Sequence, residues 1–255
     1  WGRARDHLRA VEMLGEMRGR GLEPEVISYN AAITACEKAG QWERALLLLD
    51  EMQARGLEPD VISFNAAISA CEKGSQWHKA VAFLGEMRSR GLEPDVISYN
   101  AAISACEKAG QWERALALLA EMRERGLEPQ VISYNAAIRA YERVGRWEQA
   151  LALLDDMKAR GLEPSVISYN TAISACRWGE CERALSLLEE MAPRGIEPDV
   201  ISYNSAIAAC SGATTRAEPE RALSLLETMR ERGLEPNLIS YGSAIAACDK
   251  AGLWE

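Results

Sequence analysis

The stretch that decides the fold is one 35-residue unit, residues 96–130, which reads VISYNAAISACEKAGQWERALALLAEMRERGLEPQ. Its opening Val-Ile-Ser-Tyr-Asn returns along the chain at spacings of 35, 35, 35, 35, 34 and 38 residues when two near copies are included. A fixed period of this length predicts an array of repeats that bury their apolar faces against one another. The repeats are residues 26–60, 61–95, 96–130, 131–165, 166–199 and 200–237, with partial units at 1–25 and 238–255.

Each repeat predicts two helices joined by a turn. In residues 98–109 the apolar side chains recur at helical spacing, and Ser98 is placed to cap the start of this helix. A second helix follows from Trp112, and Gly126 with Pro129 after it supplies a left-handed stop. Because no unit carries a strand pattern, we predict an all-α fold. The expected architecture is a right-handed superhelical α-solenoid of helix–turn–helix repeats, forming one array over the whole chain.

Two repeats depart from the period. Repeat 166–199 loses one residue between its helices, and Cys181 takes the place that Trp112 holds in its own repeat. Repeat 200–237 gains three residues, which predicts a longer turn over 211–218 and a second helix opened by Pro219. We expect the array to be locally softer near 210–218.

Composition excludes several classes of function. The 255 residues carry 29 Lys and Arg against 38 Asp and Glu, a formal net charge of −9, so the strong basicity of many nucleic-acid binders is missing. No apolar run approaches the roughly 20 residues that a membrane span needs. With only two histidines, we expect no catalytic residue, no metal site, no cofactor and no small-molecule substrate. The chain starts at Trp1 and stops within a repeat, as a piece of a longer protein would.

The seven cysteines indicate packing residues. Six of them share one repeat position, at 36, 71, 106, 176, 210 and 248, too far apart in sequence for a Cys-x-x-Cys metal site. We predict buried free thiols, as in a reducing compartment. Cys176 and Cys181 lie close enough in sequence for a disulfide, but this pairing is disfavoured against the packing role.

The repeat itself resembles a known family. Its 35-residue period, its Tyr-Asn pair and its terminal Gly-x-x-Pro are similar to those of the pentatricopeptide repeat family, and the resemblance covers essentially the whole chain. No unit has the Trp-x-x-Leu-Gly-x-x-Tyr start of the tetratricopeptide repeat. The resemblance implies binding of single-stranded RNA with one base read per repeat.

The resemblance also implies which side chains bind RNA. The fifth residue of each repeat would read the base edge together with the last residue, and the second would stack between bases. The fifth and last residues form the pairs Asn30 and Asp60, Asn65 and Asp95, Asn100 and Gln130, Asn135 and Ser165, Asn170 and Asp199, and Asn204 and Asn237. The stacking residues would be Ile27, Ile62, Ile97, Ile132, Ile167 and Ile201. Asn with Asp implies U and Asn with Ser implies C, whereas Asn with Asn leans only loosely toward C and Asn with Gln implies no more than a pyrimidine, which gives the target 5′-UUYCUY-3′.

Each of these columns has a structural alternative. The asparagines could cap helices or link repeats through hydrogen bonds to the backbone, and the isoleucines could belong to the core. A cation near the end of the first helix could either complement the helix C-terminus or bind phosphate. These cations are Lys38, Lys73, Lys108 and Arg143.

The same resemblance implies a role in organellar RNA stability, processing or translation, in a plastid or a mitochondrion. The alternative is a scaffold that holds an extended peptide of a protein partner in the same groove. The balance is acidic, and it includes a glutamate directly before the proline near the end of each repeat. With only four clear cations in the groove, we expect a shallow dependence of RNA binding on salt and an affinity that rests on stacking.

Overall fold

The computed structural model describes residues 2–211 and 218–250. Over these residues the chain forms α-helices and two short 3-10 helices and no strand, which confirms the all-α prediction. The chain divides into two compact units, Trp1–Pro129 and Gln130–Glu255. The helices of the first unit are α1 (Gly2–Gly19), α2 (Val26–Lys38), α3 (Trp42–Ala54), α4 (Val61–Lys73), α5 (Trp77–Ser89), α6 (Val96–Lys108) and α7 (Trp112–Glu124). Those of the second are α8 (Val131–Arg143), α9 (Trp147–Ala159), α10 (Val166–Ala175), α11 (Cys181–Met191), α12 (Val200–Ser211), α13 (Glu218–Glu231) and α14 (Leu238–Lys250), with 3-10 helices at Cys176–Trp178 and Ala192–Arg194.

The first helix of a repeat begins two residues earlier than predicted. Helix α6 begins at Val96, and its N-cap is Asp95, whose side chain accepts a hydrogen bond from the Ser98 backbone N–H. The Ser98 hydroxyl in turn bonds to the Asp95 backbone N–H, so the two residues form a reciprocal capping box. The expectation that Ser98 caps the helix was therefore wrong. The last residue of a repeat is thus the N-cap of the first helix of the following repeat, as at Asp60, Asp95 and Ser165.

Glycines end the helices where the sequence predicted. Gly110 and Gly126 both have positive φ, near 74°, after α6 and α7. Repeat 61–95 is the exception, because Gly74-Ser75 stand there where repeat 96–130 has Ala109-Gly110, and Ser75 takes the left-handed conformation with φ of 53°. The preceding Gly74 lies against the ring of Trp42, where an added Cβ would come within 2.5 Å of the ring.

Within each unit, successive first helices pack side by side and each second helix packs on its own first helix and on the next one. The core is made mainly of aromatic, isoleucine, leucine and methionine side chains with several small residues in each repeat. In the first unit its large members include Tyr29, Ile33, Leu49, Met52, Phe64, Ile68, Leu84, Met87 and Tyr99, all fully buried. This continuous but one-dimensional core is what the repeat pattern predicted.

An acidic residue one position before each of these methionines joins neighbouring repeats. Glu51 accepts a hydrogen bond from the Tyr29 hydroxyl at 3.0 Å. It also forms ion pairs with Arg18 of the preceding partial repeat and with Arg55, four residues later in its own repeat. We call this arrangement a carboxylate node. Equivalent nodes form at Glu121 with Tyr99, Arg88 and Arg125, and at Glu190 with Tyr169, Lys158 and Arg194.

The cysteines follow the prediction at four positions and contradict it at two. Cys36, Cys71, Cys106 and Cys176 are buried free thiols, and burial raises the pKa of the Cys71 thiol to about 12 and that of Cys106 to about 11. Cys181 and Cys210, however, form a disulfide between consecutive repeats, 29 residues apart. Loss of one residue before α11 places a thiol where other repeats have tryptophan, so it lies against the thiol of the next repeat. The predicted softening near 210–218 falls mostly outside the described residues.

None of the described helices is long and apolar enough to cross a membrane. Over the same residues, no three potential ligands of a metal ion lie together.

Candidate nucleic-acid interface

The fifth and last residues of several repeats contact each other through their side chains. The Asn30 side-chain nitrogen donates to Asp60 Oδ1 at 3.0 Å, and Asn65 donates to both carboxylate oxygens of Asp95 at 3.2 Å. In the second unit, Asn170 donates to Asp199 at 3.1 Å, and Asn204 donates to Asn237 at 3.3 Å. In these four predicted pairs the two side chains are thus in direct contact. Asn100 lies on α6, and Gln130 is the residue before α8.

The amide oxygen of these asparagines has a structural partner. The Ser63 hydroxyl donates to Asn30 Oδ1 at 2.6 Å, and Ser202 makes the same bond to Asn170 at 2.6 Å. Ser98 and Ser240 bond to Asn65 and Asn204 in the same way. The asparagines therefore link consecutive repeats, as the structural alternative proposed, but through serine side chains and not through the backbone. Asn30, Asn170 and Asn204 are accordingly only 7–9% exposed.

One asparagine lacks these bonds. Asn135 stands in the repeat that ends in Ser165, and its side-chain oxygen is buried without a hydrogen-bond partner. The Ser168 hydroxyl, which would be its donor, lies 3.1 Å from the Ser165 hydroxyl instead. Replacing the carboxylate by a hydroxyl at the last position has therefore broken the link at this repeat.

Two aspartates of the pairs, Asp60 and Asp199, stay ionised. Burial acts to raise the pKa of the Asp60 carboxyl, but hydrogen bonds from the Ser63 backbone, the Ser63 hydroxyl and the Asn30 amide lower it more, so the net pKa is lowered. The pKa of Asp199 is lowered for the same reasons, with Ser202 and Asn170 as donors. These two Asn–Asp pairs therefore present a fixed negative charge at neutral pH.

The isoleucine column is at the surface. Ile27 is 77% exposed and the other five are 56–63% exposed, although each lies in the first turn of a helix. This rules out the core alternative for Ile27, Ile62, Ile97, Ile132, Ile167 and Ile201. Packing in the core does not explain why a large, exposed apolar side chain recurs at this position in every repeat, and such exposed apolar positions often mark a binding surface.

Two of the predicted phosphate-binding cations, Lys73 and Lys108, form ion pairs with acidic residues of the protein. Lys73 forms an ion pair with Glu37 at 2.6 Å, and Lys108 forms one with Glu72 at 2.8 Å, each reaching the preceding repeat. Lys38 is exposed and has no ion pair within the described part of the chain. Arg143 is exposed at the end of α8. The sequence did not suggest these acidic partners. Glu37 and Glu72 each stand next to a lysine in their own helix, but each pairs with the lysine of the following repeat.

In the first unit, these elements converge on one open depression. A concave space of about 870 Å³ is lined by Ile27, Asn30, Lys38, Asp60, Ile62 and Lys73, together with Ala31, Thr34 and Ala35. One polar pair, two exposed isoleucines and two cations therefore surround a single space. The small residues on the first helix leave room for a flat group between the two isoleucines.

The geometry defines a class of protein, a solenoid of helix pairs in which an Asn-centred polar pair recurs in several repeats. A family model described as the pentatricopeptide repeat domain matches residues 3–41, 82–143 and 186–250, more than half of the chain. Models described as the PPR repeat family and the PPR repeat match residues 24–73 and 129–177, and 62–92 and 167–196. The chain belongs to the pentatricopeptide repeat family.

Solved structures show the same fold. The crystal structure of the pentatricopeptide repeat protein PPR10 from maize is 33% identical over 94% of this chain and 34% of its own, with a TM-score of 0.66. This chain thus spans about a third of the maize protein's length. The PPR domain of Arabidopsis thaliana protein-only RNase P 1, crystallised with tRNA, is 17% identical over 71% of this chain and 95% of its own, with a TM-score of 0.61. A structure of PPR10 with an 18-nt psaJ RNA element matches 98% of this chain and 39% of its own at 31% identity, with a TM-score of 0.48. No curated protein matches the chain.

Proposed function

We propose that the chain binds single-stranded RNA, reads one base per repeat and prefers the pyrimidine-rich target 5′-UUYCUY-3′. Membership of the pentatricopeptide repeat family supports RNA binding. The observation that carries the finer proposal is the depression around Asn30 and Asp60, because the reading pair, the apolar side chains and the cations predicted separately all line it. The protein acts as a binder that shields or presents a transcript in a plastid or mitochondrion, and carries out no chemistry of its own.

The hydrogen-bonding capacity left over in the pair matches a uracil edge. Asn30 uses its oxygen for Ser63 and one amide proton for Asp60, which leaves a second amide proton without a side-chain partner among the described residues. Asp60 Oδ2 likewise has no side-chain partner there. A donor beside an acceptor complements the O4 and N3–H of uracil. Cytosine has an unprotonated N3, which a carboxylate repels.

The same chemistry favours cytosine at repeat 131–165. Ser165 is neutral and its hydroxyl can donate a hydrogen bond to the unprotonated N3 of cytosine. The Asn135 oxygen is buried, so the preference at this repeat rests on the Ser165 hydroxyl. At Asn204 the partner Asn237 is also neutral, which supports a looser pyrimidine preference.

Affinity then rests on stacking more than on charge. An isoleucine on either side gives each base an apolar neighbour, and base stacking on side chains contributes about 1–3 kcal/mol per base for aromatic platforms, which sets an upper bound here. Lys73 and Lys108 must exchange their glutamate partners for phosphate. At about −0.7 per phosphate contact, two to four cations predict a salt slope between about −1.4 and −2.8.

Equilibrium binding tests the proposal. Labelled RNA containing 5′-UUUCUU-3′ and a purine-rich control of equal length are titrated over a series of salt concentrations. Selective binding of the pyrimidine RNA with the shallow slope given above is the expected result. Weak binding of both RNAs that disappears at modest salt would contradict base reading and favour a scaffold for a protein partner.

A further inference from the structure

One carboxylate node of the array is incomplete. In repeat 200–237 the residue before Met229 is Thr228, where the nodes described above have Glu51, Glu121 or Glu190. The cation that would come from the preceding repeat is also missing, since Ala192 stands where Lys158 or Arg88 stands in the earlier ones. The rest of the node, Tyr203 and Arg232, is present.

The two remaining groups have lost their partners. Tyr203 is 2% exposed, and its hydroxyl makes no hydrogen bond within the described part of the chain, whereas the hydroxyls of Tyr29, Tyr99 and Tyr169 each donate to the node carboxylate. Arg232 forms no ion pair with a described residue, whereas Arg194 pairs with its acid four residues earlier. The Thr228 hydroxyl is occupied, because it donates to the Ser224 carbonyl at 2.9 Å.

A cavity opens where the missing side chains would lie. It has a volume of about 650 Å³ and lies between α11 and α13, with Tyr203, Thr228 and Arg232 on its polar side. Its apolar side is formed by Leu185, Leu188 and Leu225. Pockets for small molecules usually have about 300–1,000 Å³, are mostly apolar and carry a few convergent polar groups.

We propose that this cavity binds a small organic carboxylate with an apolar body. The ligand carboxylate takes the place of the missing glutamate side chain, accepts hydrogen bonds from the Tyr203 hydroxyl and the Arg232 guanidinium, and the apolar body lies against the three leucines. The volume favours a whole small molecule over a single side chain of a docked protein, because a glutamate side chain would fill only a small part of the space.

The acids near the cavity do not replace this ligand. Glu189 and Glu220 line it, but both are exposed and neither has an ion pair with Arg232. Arg221, the second cation in the lining, is paired with Glu182. Glu197 corresponds to Glu58, which pairs with Arg90 at 3.1 Å, but no such ion pair forms between Glu197 and Arg232.

The test uses 4-methylpentanoate as the probe and its neutral amide as the matched control, titrated into the whole chain by calorimetry. We expect the carboxylate to bind at least about tenfold more tightly than the amide, since a hydrogen bond to a charged group is at stake. Thr228→Glu supplies the missing carboxylate from within, so it should abolish binding and raise the Tm. Thr228→Val leaves the space and the charge unchanged and should keep the affinity within about twofold.

The proposal fails if the amide binds as well as the carboxylate, if neither binds, or if Thr228→Glu lowers the Tm and leaves binding intact. A Leu-Glu-Leu peptide with blocked ends is titrated in parallel. If this peptide binds and free 4-methylpentanoate does not, the site belongs to a protein partner and the small-molecule proposal is wrong. Tyr203→Phe, which keeps the ring in the core, should weaken binding of 4-methylpentanoate without unfolding the chain.

Discussion

Asn135 shows most clearly what the last residue of a repeat does. Its side-chain oxygen is buried without a hydrogen-bond partner, and the Ser168 hydroxyl lies 3.1 Å from the Ser165 hydroxyl. In the pair of Asn170 and Asp199, by contrast, the Ser202 hydroxyl lies within hydrogen-bond distance of both the Asn170 oxygen and Asp199 Oδ1, so this serine joins the two residues. The last residue therefore sets both the link between repeats and the groups offered to a base.

Ser165→Asp should therefore stabilise the protein. It gives Asn135 a carboxylate acceptor and a serine donor, and we expect a gain in the free energy of unfolding of about 1 kcal/mol, the net value of a typical hydrogen bond. Urea denaturation of the variant and the parent protein measures it. Ser165→Ala, which offers neither group, is the control and should not stabilise; equal stability of all three chains would contradict this role of the last residue.

Ser75 is a second position where one residue decides the local energy. With φ of 53°, a serine occupies a conformation that costs a residue with a Cβ roughly 1–2 kcal/mol. Ser75→Gly should raise the free energy of unfolding by about 1 kcal/mol, since part of that gain is offset by the greater freedom of glycine in the unfolded chain. Gly74→Ala is the contrasting variant, because its Cβ would meet the Trp42 ring and should destabilise the chain. An unchanged Tm for both variants would show that neither the left-handed conformation of Ser75 nor the contact of Gly74 with Trp42 affects stability.

At the scale of elements, the carboxylate nodes tie stability to pH. Burial acts to raise the pKa of Glu51, Glu121 and Glu190, but bonds from tyrosine and basic side chains lower it more, so the net pKa is lowered. A carboxyl with a lowered pKa in the fold stabilises the fold fully above its unfolded pKa of roughly 4, and this contribution is lost as the pH falls through the lower folded value. Burial and the hydrogen bond to the acid raise the pKa of Tyr29 and Tyr99, so their contribution is lost above roughly pH 10.

We therefore expect thermal stability to be flat near neutrality and to fall on both sides, below roughly pH 4 and above roughly pH 10. Circular dichroism melts over a pH series measure this. Tyr99→Phe, which copies the Phe64 of the preceding repeat, should reduce the loss on the alkaline side. A Tm that rises as the pH drops from about 5 to about 3 would contradict the sign of the carboxylate contribution.

The disulfide between Cys181 and Cys210 is the other feature at this scale. It joins residues 29 positions apart, and loop-closure entropy gives about 3–4 kcal/mol for a loop of this length. Adding a thiol reductant should lower the Tm of the parent chain and leave that of Cys181→Ser unchanged. Cys176→Ser, which removes a free thiol, is the control and should retain the response to reductant. Equal Tm values with and without reductant would show that the bond does not stabilise the fold.

For the molecule as a whole, the period and the glycine positions were enough to predict the all-α fold and two helices in each repeat. The helix start was misplaced because Asp95 and Ser98 are both residue types that favour the N-cap position. Residue type alone does not show which of the two is the N-cap of a reciprocal capping box. The pairing of Cys181 with Cys210 depends on a contact between repeats that one deleted residue creates. The partners of Lys73 and Lys108 lie in the preceding repeats, which a pattern along a single helix does not show.

If one pair of side chains reads one base, exchanging the last residues of two repeats should exchange the bases that they read. Base preference at each position of 5′-UUUCUU-3′ is measured with single-base RNA variants for the parent chain and for the double variant Asp95→Ser and Ser165→Asp. We predict that the second position changes from U to C and the fourth from C to U, by about tenfold each, while the other positions keep their preference. Uniform weakening at every position, or an unchanged pattern with normal folding, would contradict base reading by these pairs.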